Sequence, residues 1–282
     1  MTDLLRTVAE LRRWRAGPGS VGLVPTMGAL HSGHASLMER AGIENERILA
    51  SIFVNPTQFG PGEDYLAYPR NEAGDIALLS SLGVHAVFVP ALDELYPPGG
   101  ATRVVPGPIA ERLEGERRPG HFTGVATVVL KLFLLAEPDR AYFGQKDFQQ
   151  LRVLQTVTRD LRSPVAIVAC ATLREPDGLA MSSRNAYLTA AERTRALALS
   201  GGLFAAAAAH ESGERDARRL RALVSGTAKD AGALDYVSVA DPHTLQELEG
   251  AAERAVISLA CTVGKARLID NVLVGMTLAE LA

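Results

Sequence analysis

Residues 21–38, VGLVPTMGALHSGHASLM, decide the architecture. Val21, Leu23 and Val24 make the short apolar run of a buried strand. Pro25 has no backbone N–H and is expected to stop the sheet pairing, after which Thr26, Met27 and Gly28 turn the chain sharply. Beyond Gly33 the apolar spacing becomes helical, with Leu37, Met38 and Ala41 on one face. Strand, glycine-containing loop and helix start thus follow one another, with His31 and His34 at the mouth. The N–H groups at a helix start form an anion site. Two imidazoles three positions apart there can donate to phosphate oxygens and stabilise charge that develops in phosphoryl or nucleotidyl transfer. Capping or solvation is the ordinary explanation of a single histidine in such a place. No third ligand at metal-binding spacing follows the pair.

Composition sets the frame around this stretch. A chain of 282 residues has length for one large or two modest domains, and 47% apolar content supplies their cores. A net charge of −3 without a basic stripe argues against nucleic acid as the partner. Cys170 and Cys261 each lie in an apolar run and read as buried thiols of a reducing, cytoplasmic compartment. The N-terminal MTDLLRTVAELRRW is charged and lacks an apolar signal core, and no apolar run is long enough to span a membrane.

Outward from the histidine loop, Thr7 and Glu10 have capping-box spacing and open a helix to about Trp14. Residues 48–54, ILASIFV, predict a second buried strand, ending in Asn55-Pro56-Thr57-Gln58. Ligands of open parallel sheets sit beyond the carboxyl ends of strands. An amide there holds a hydroxyl or carboxylate without a permanent ion pair. Turn chemistry accounts for Asn55, whereas Gln58 has no turn role. Asn71 predicts a helix to Leu82, and residues 84–89 a third strand. The Pro-, Gly- and Arg-rich segment 97–119 reads as a flap or plain surface loop. A long apolar helix is expected over 123–135.

Tyr142 and Phe143 then end a short strand, and Gly144-Gln145-Lys146-Asp147 again begins a helix that continues from Leu151 to Leu161. Lys146 can set a point charge on phosphates, and Gln150 lies one turn further on the same face. Residues 164–171 predict another strand. Met181-Ser182-Ser183-Arg184-Asn185 offers two hydroxyls and a guanidinium to phosphate, or serves as a capped polar loop. A second capping box, Thr189 to Glu192, and a cap at Asp216 open Ala-rich helices. Strands follow near 235–239, 255–260 and 268–274, in a region with few obvious chemical groups.

His-x-Gly-His after a strand resembles the nucleotide-binding fingerprint of the nucleotidyltransferase superfamily that includes class I aminoacyl-tRNA synthetases. Several further blocks, in order and over nearly the whole chain, resemble the pantoate–β-alanine ligase family: PTMGALHSGH at 25–34, FVNPTQF at 53–59, YPR at 68–70, RPGHF at 118–122, FGQKDFQQ at 143–150 and GLAMSSRN at 178–185. The segment Met181 to Asn185 is similar to the superfamily's second signature, with arginine in place of lysine. Gln145 departs from the family pattern, in which Glu commonly precedes the Lys-Asp pair.

The resemblance implies an α/β chain. On that resemblance a Rossmann-like doubly wound parallel sheet would occupy residues 1–173, and a smaller C-terminal α+β lid domain 174–282. It implies ATP-dependent condensation of pantoate with β-alanine through a pantoyl adenylate, with Mg²⁺, in a homodimer. Carried over by position, ATP would meet Met27, Gly28, Ala29, Leu30, His31, Ser32, Gly33, His34, Gly144, Gln145, Lys146, Asp147 and Leu173, and Met181, Ser182, Ser183 and Arg184 would close on its phosphates from the C-terminal domain. Leu173 would offer backbone groups to adenine, and Asp147 would face ribose hydroxyls. His34, with His31, would act electrostatically, because pyrophosphate leaves readily without a full proton. Lys146 completes the catalytic set. Gln58 and Gln150 would grip pantoate, Gln58 also lying near β-alanine; no residue is assigned to the metal. The competing reading, an adenylyltransferase acting on a phosphate acceptor, calls for cations where these two amides stand.

Overall fold

The computed structural model describes Thr2–Leu281. Its strands are β1 (Asp3–Leu5), β2 (Val21–Thr26), β3 (Arg47–Ile52), β4 (Ala86–Phe88), β5 (Arg140–Gly144), β6 (Ala166–Cys170), β7 (Ala233–Ala240), β8 (Ala255–Val263) and β9 (Ala266–Val274). The α-helices are α1 (Val8–Arg15), α2 (Ser32–Glu44), α3 (Glu72–Ser81), α4 (Leu92–Leu95), α5 (Glu114–Arg117), α6 (His121–Ala136), α7 (Phe148–Asp160), α8 (Ala190–Glu211) and α9 (Ala217–Ala228). The chain divides into two compact units. One is the chain up to Phe143 with Gln150–Cys170; the other is Gly144–Gln149 with the chain from Ala171 onward.

The first unit carries a six-stranded sheet of order β1-β4-β3-β2-β5-β6, parallel along β1, β4, β3, β2 and β5. Both alternating sets of side chains are buried, which requires helices on both faces. Val24, Ile48, Ala50 and Val87 pack with Leu37, Met38 and Ala41 of α2 and Leu79 of α3. Leu23, Leu49, Ala86 and Phe88 point to the other face and are equally enclosed. The fold is therefore α/β, Rossmann-like and doubly wound. Its strand order reverses between β2 and β5, where such sheets bind ligands.

Pro25 does not stop the pairing. Strand β2 runs through Thr26, with Pro25 opposite Ser51. In a parallel pair, successive residues turn their N–H and C=O to opposite neighbours. The Thr26 carbonyl accepts from the Phe53 N–H on the β3 side, so Pro25 faces β5, whose pairing with β2 covers only Gly22 and Leu23. The missing N–H leaves no bond broken. Strand β3 stops at Ile52, two residues short of the expected end, and the 3₁₀ turn Pro56–Gln58 follows. Helices α6 and α7 begin earlier than their apolar runs, at His121 and Phe148. The edge strand β1 lies in the charged N-terminal segment, where the sequence predicts no strand.

The second unit is α+β. Helices α8 and α9 pack on the antiparallel sheet β7-β8-β9 around Leu199, Leu203, Leu220, Val224, Ile257 and Leu259. Both expected capping boxes form: the Thr7 and Thr189 side chains accept from the N–H groups of Glu10 and Glu192, whose carboxylates return to the cap residues' N–H groups. Asp216 caps α9. Among the described residues, no helix is long and apolar enough to cross a membrane.

Candidate active site

The loop after β2 is shaped by two positive-φ residues, Gly28 at +82° and Ala29 at +51°. A side chain at 28 would be strained, and its Cβ would meet an Asp75 carboxylate oxygen at 2.9 Å. Asp75, in the first turn of α3 and 5% exposed, accepts from the N–H groups of Ala29 and Leu30, both at 2.8 Å. The loop then enters α2 through a capping box made of histidines. His31 Nδ1 accepts from the Gly33 N–H at 3.1 Å, and His34 Nδ1 accepts from the His31 N–H at 3.3 Å. The ring centroids are 4.1 Å apart. With Nδ1 an acceptor in both rings, the proton of each neutral imidazole sits on Nε2. The histidines do cap, as a plain reading of the position requires, and the same bonds fix which nitrogen carries the hydrogen.

Gln58 closes the 3₁₀ turn after β3 and is buried. Its Oε1 accepts from Asn55 Nδ2 at 2.9 Å, and its Nε2 lies 3.1 Å from Met27 Sδ, so it touches the histidine loop. Asn55 is 1% exposed and does more than turn the chain. Its Oδ1 also accepts from Thr57 and from the Tyr96 hydroxyl, and its Nδ2 reaches the Gly124 carbonyl. Glycine is required at 124, since a Cβ would come within 2.3 Å of the Thr57 carbonyl oxygen. The Gln58 carbonyl meets His121 Nδ1 at 2.8 Å and Arg118 at 3.3 Å. Arg118 is itself paired through two bonds with Glu63 and lies 3.1 Å from His121 Nε2. Burial, followed by the Arg118 charge, lowers His121 to about 4, so the ring is neutral. Burial raises Glu63, but its bonds to Arg118 and the Gly60 N–H outweigh this and leave it lowered. Gln150, on the first turn of α7, belongs to the same unit and is half-buried.

In the second unit, Gly144 leads into the 3₁₀ turn Gln145–Asp147. Asn271 Nδ2 donates to the carbonyls of Gln145 and Lys146, both at 3.0 Å, and its Oδ1 accepts from Gln145 Nε2 at 3.2 Å. A glutamate at 145 would have no hydrogen to offer there. Lys146, Ser182, Asn185 and Asp270 share the wall of one small cleft. Lys146 Nζ stands 3.7 Å from Asp147 Oδ1. The Leu173 carbonyl accepts from the Met181 N–H, and Arg174 bridges to Ala180, so residues 173–181 form a hairpin-like loop. Ser182 caps the 3₁₀ turn Ser183–Tyr187 by accepting from the Arg184 N–H. Asn185 Nδ2 ties that turn to Glu175 and the Ala180 carbonyl, while its buried Oδ1 has no hydrogen-bond partner among the described residues.

Two distant blocks, around Lys146 and around Ser182, therefore meet within one unit, and Gln58 meets the histidine loop within the other. The chain matches the model of the Pantoate-beta-alanine ligase family over residues 3–273.

The chain belongs to the pantoate–β-alanine ligase family.

Relatives bear this out over full length. Pantothenate synthetase of Roseiflexus sp. (strain RS-1) is 53% identical over 95% of this chain and 98% of its own. That of Chloroflexus aurantiacus is 51% identical over 95% and 96%. Among solved structures, pantothenate synthetase from Thermus thermophilus superposes with a TM-score of 0.92 at 47% identity, covering 96% of this chain and 99% of that one. A pantoate-beta-alanine ligase from Francisella tularensis, complexed with Beta-gamma ATP and Beta-alanine, gives 0.80 at 36% identity over 97% and 98%. The chain is thus a ligase of this family.

The sequence motifs contained most of these residues but not those that hold them. Asp75, Asp270 and Asn271 carry no motif. One signal was available: adjacent Asp and Asn inside the apolar strand residues 268–274, LIDNVLV, demand partners if buried.

Proposed function

We propose that the chain condenses pantoate with β-alanine at the expense of ATP, through pantoyl adenylate, releasing pyrophosphate and then AMP. A carboxylate repels an incoming amine and has no good leaving group; adenylation removes both obstacles. The observation that carries the reading is the fixed histidine pair at the start of α2. Both Nδ1 atoms are bound to backbone, so each Nε2–H is presented in a set direction, at a helix end that already favours anions. Nε2–H of His34, with His31, would stabilise charge on the phosphate oxygens during adenylation, along with Lys146. Met27 to His34 and Gly144 to Asp147 would cradle ATP, Asp147 facing the ribose and Leu173 the adenine. Met181 to Arg184 would bind its phosphates.

Gln58 and Gln150 would hold pantoate through neutral amides, and Gln58 would also meet β-alanine. Asn55 holds the Gln58 side chain, while Arg118 and His121 hold its backbone carbonyl. The lid role of residues 174–282 is to keep water from the adenylate. Among the described residues, no cluster of three or more His, Cys, Asp or Glu is placed to hold a metal. Asp75 is engaged by two backbone N–H groups. Mg²⁺ would arrive on the triphosphate as MgATP, where it would neutralise phosphate charge. We place the reaction in the cytoplasm, in a homodimer; two free, buried thiols suit a reducing compartment.

Mixing the protein with pantoate, β-alanine, ATP and Mg²⁺ and weighing the products tests the reading. Pantothenate with stoichiometric AMP and pyrophosphate is the expected result. An AMP moiety retained on a phosphate acceptor, or no product, overturns it.

A further inference from the structure

We propose that Asn271, braced by its neighbour Asp270, is the positioning residue for Lys146 in adenylation. This rests on the ligase reading above. The two side chains sit in the last strand of the chain and are 3% and 4% exposed. Burying polar groups inside an apolar strand is costly unless each finds a partner, and here each partner is a segment of the candidate site. Asn271 binds the carbonyls of Gln145 and Lys146 and the side chain of Gln145. Asp270 takes both terminal nitrogens of Arg174, at 2.7 and 2.9 Å, at the head of the loop that leads to Ser182. Asp270 also accepts the Asn271 backbone N–H at 2.7 Å, so the two clamps share one origin.

The 3₁₀ turn that carries Lys146 needs such a clamp. It has no side-chain cap of its own. Lysine projects its charge from a flexible four-carbon stem, and the ammonium is only as well placed as the backbone beneath it. The single amide of Asn271 fixes two successive carbonyls of that backbone. Lys146 then faces the cleft it shares with Ser182, Asn185 and Asp270. A group that positions a charge contributes to rate through that charge alone, which separates this role from general stability.

The test is a double-mutant cycle on the full-length protein, read by pantoate-dependent ATP–pyrophosphate exchange. Lys146→Ala is expected to lose about 10²-fold, and Asn271→Ala between about 10- and 100-fold, as for a misplaced catalytic group. The double variant is expected within about threefold of Lys146→Ala. Losses that multiply, or an Asn271→Ala enzyme with wild-type exchange, overturn the proposal. If Asn271→Ala does not fold, Asn271→Ser serves, since its shorter side chain cannot span two carbonyls. Hydrogen exchange of ligand-free protein supplies a readout independent of the reaction. Faster exchange confined to 144–149 in the variant supports the clamp, and unchanged exchange refutes it. Absence of any wild-type activity would instead count against the ligase reading.

Discussion

The histidine loop after β2 and the lysine turn after β5 stand in the same local context, at the carboxyl end of a parallel strand. They are held by opposite means. The histidine loop is held mainly by near neighbours: the His31 and His34 side chains accept from backbone N–H groups within three residues at the start of α2, while Asp75 reaches Ala29 from 46 positions away and Gln58 touches Met27. The lysine turn holds itself poorly and depends on Asn271, 126 positions from Gln145 and 125 from Lys146. A loop at a strand end is thus fixed locally in one unit and by a long-range clamp in the other. Local solutions leave a dense motif in the sequence. Long-range solutions leave one amide in a strand.

The largest expected effect separates capping from chemistry in the local case. His34→Asn keeps an acceptor where Nδ1 stood and removes Nε2. Pantoate-dependent ATP–pyrophosphate exchange is expected to fall by about 10²-fold or more, with the melting temperature unchanged. His34→Ala is expected to lose both rate and stability. Equal, wild-type exchange in the two variants would mean that the histidines only cap.

Asp75 tests whether the local solution is truly local. Asp75→Asn turns one acceptor into a donor facing a backbone N–H. Leaving a buried amide unsatisfied costs about 1–3 kcal/mol, read as a shifted urea midpoint, and exchange is expected to fall about tenfold as the Gly28–Leu30 loop relaxes. Lowered stability with full exchange would show that the histidine capping box shapes the loop unaided.

This contrast also explains what could be read in advance. The strand–loop–helix at 21–38, both Thr–Glu capping boxes and the caps at Asn71 and Asp216 depend on neighbours within a few residues, and the structure has them as expected. Strand β1 was invisible because three residues, DLL, become a strand only by pairing with β4, over 80 positions away. The effect of Pro25 depends on which neighbour its missing N–H faces, and only the strand order shows that. Asn55 has a local turn role that concealed its hold on Gln58. Asn271 gave only the signal that a buried amide needs a partner, without saying which.

The smallest expected effect concerns acid. His121 holds the Gln58 carbonyl as a neutral ring, whereas Asn271 does not titrate. With the folded value near 4 and the unfolded value near 6.5, the unfolded chain binds more protons between the two, so stability falls as pH drops through that window. It is flat above it, as far as this group is concerned, and flat again below it. Glu63 adds a second slope of the same sign at lower pH, where its lowered folded value lets the unfolded chain take a proton first. His121→Asn retains a donor for the Gln58 carbonyl and removes the titration. Urea midpoints of wild type are expected to fall between about pH 7 and about pH 5, and those of the variant to fall less. The acid-sensitive element would then be the Gln58 turn of the first unit, and the Lys146 turn would keep its amide clamp over the same range. Parallel slopes for the two proteins would place the acid response elsewhere and remove this difference between the two regions.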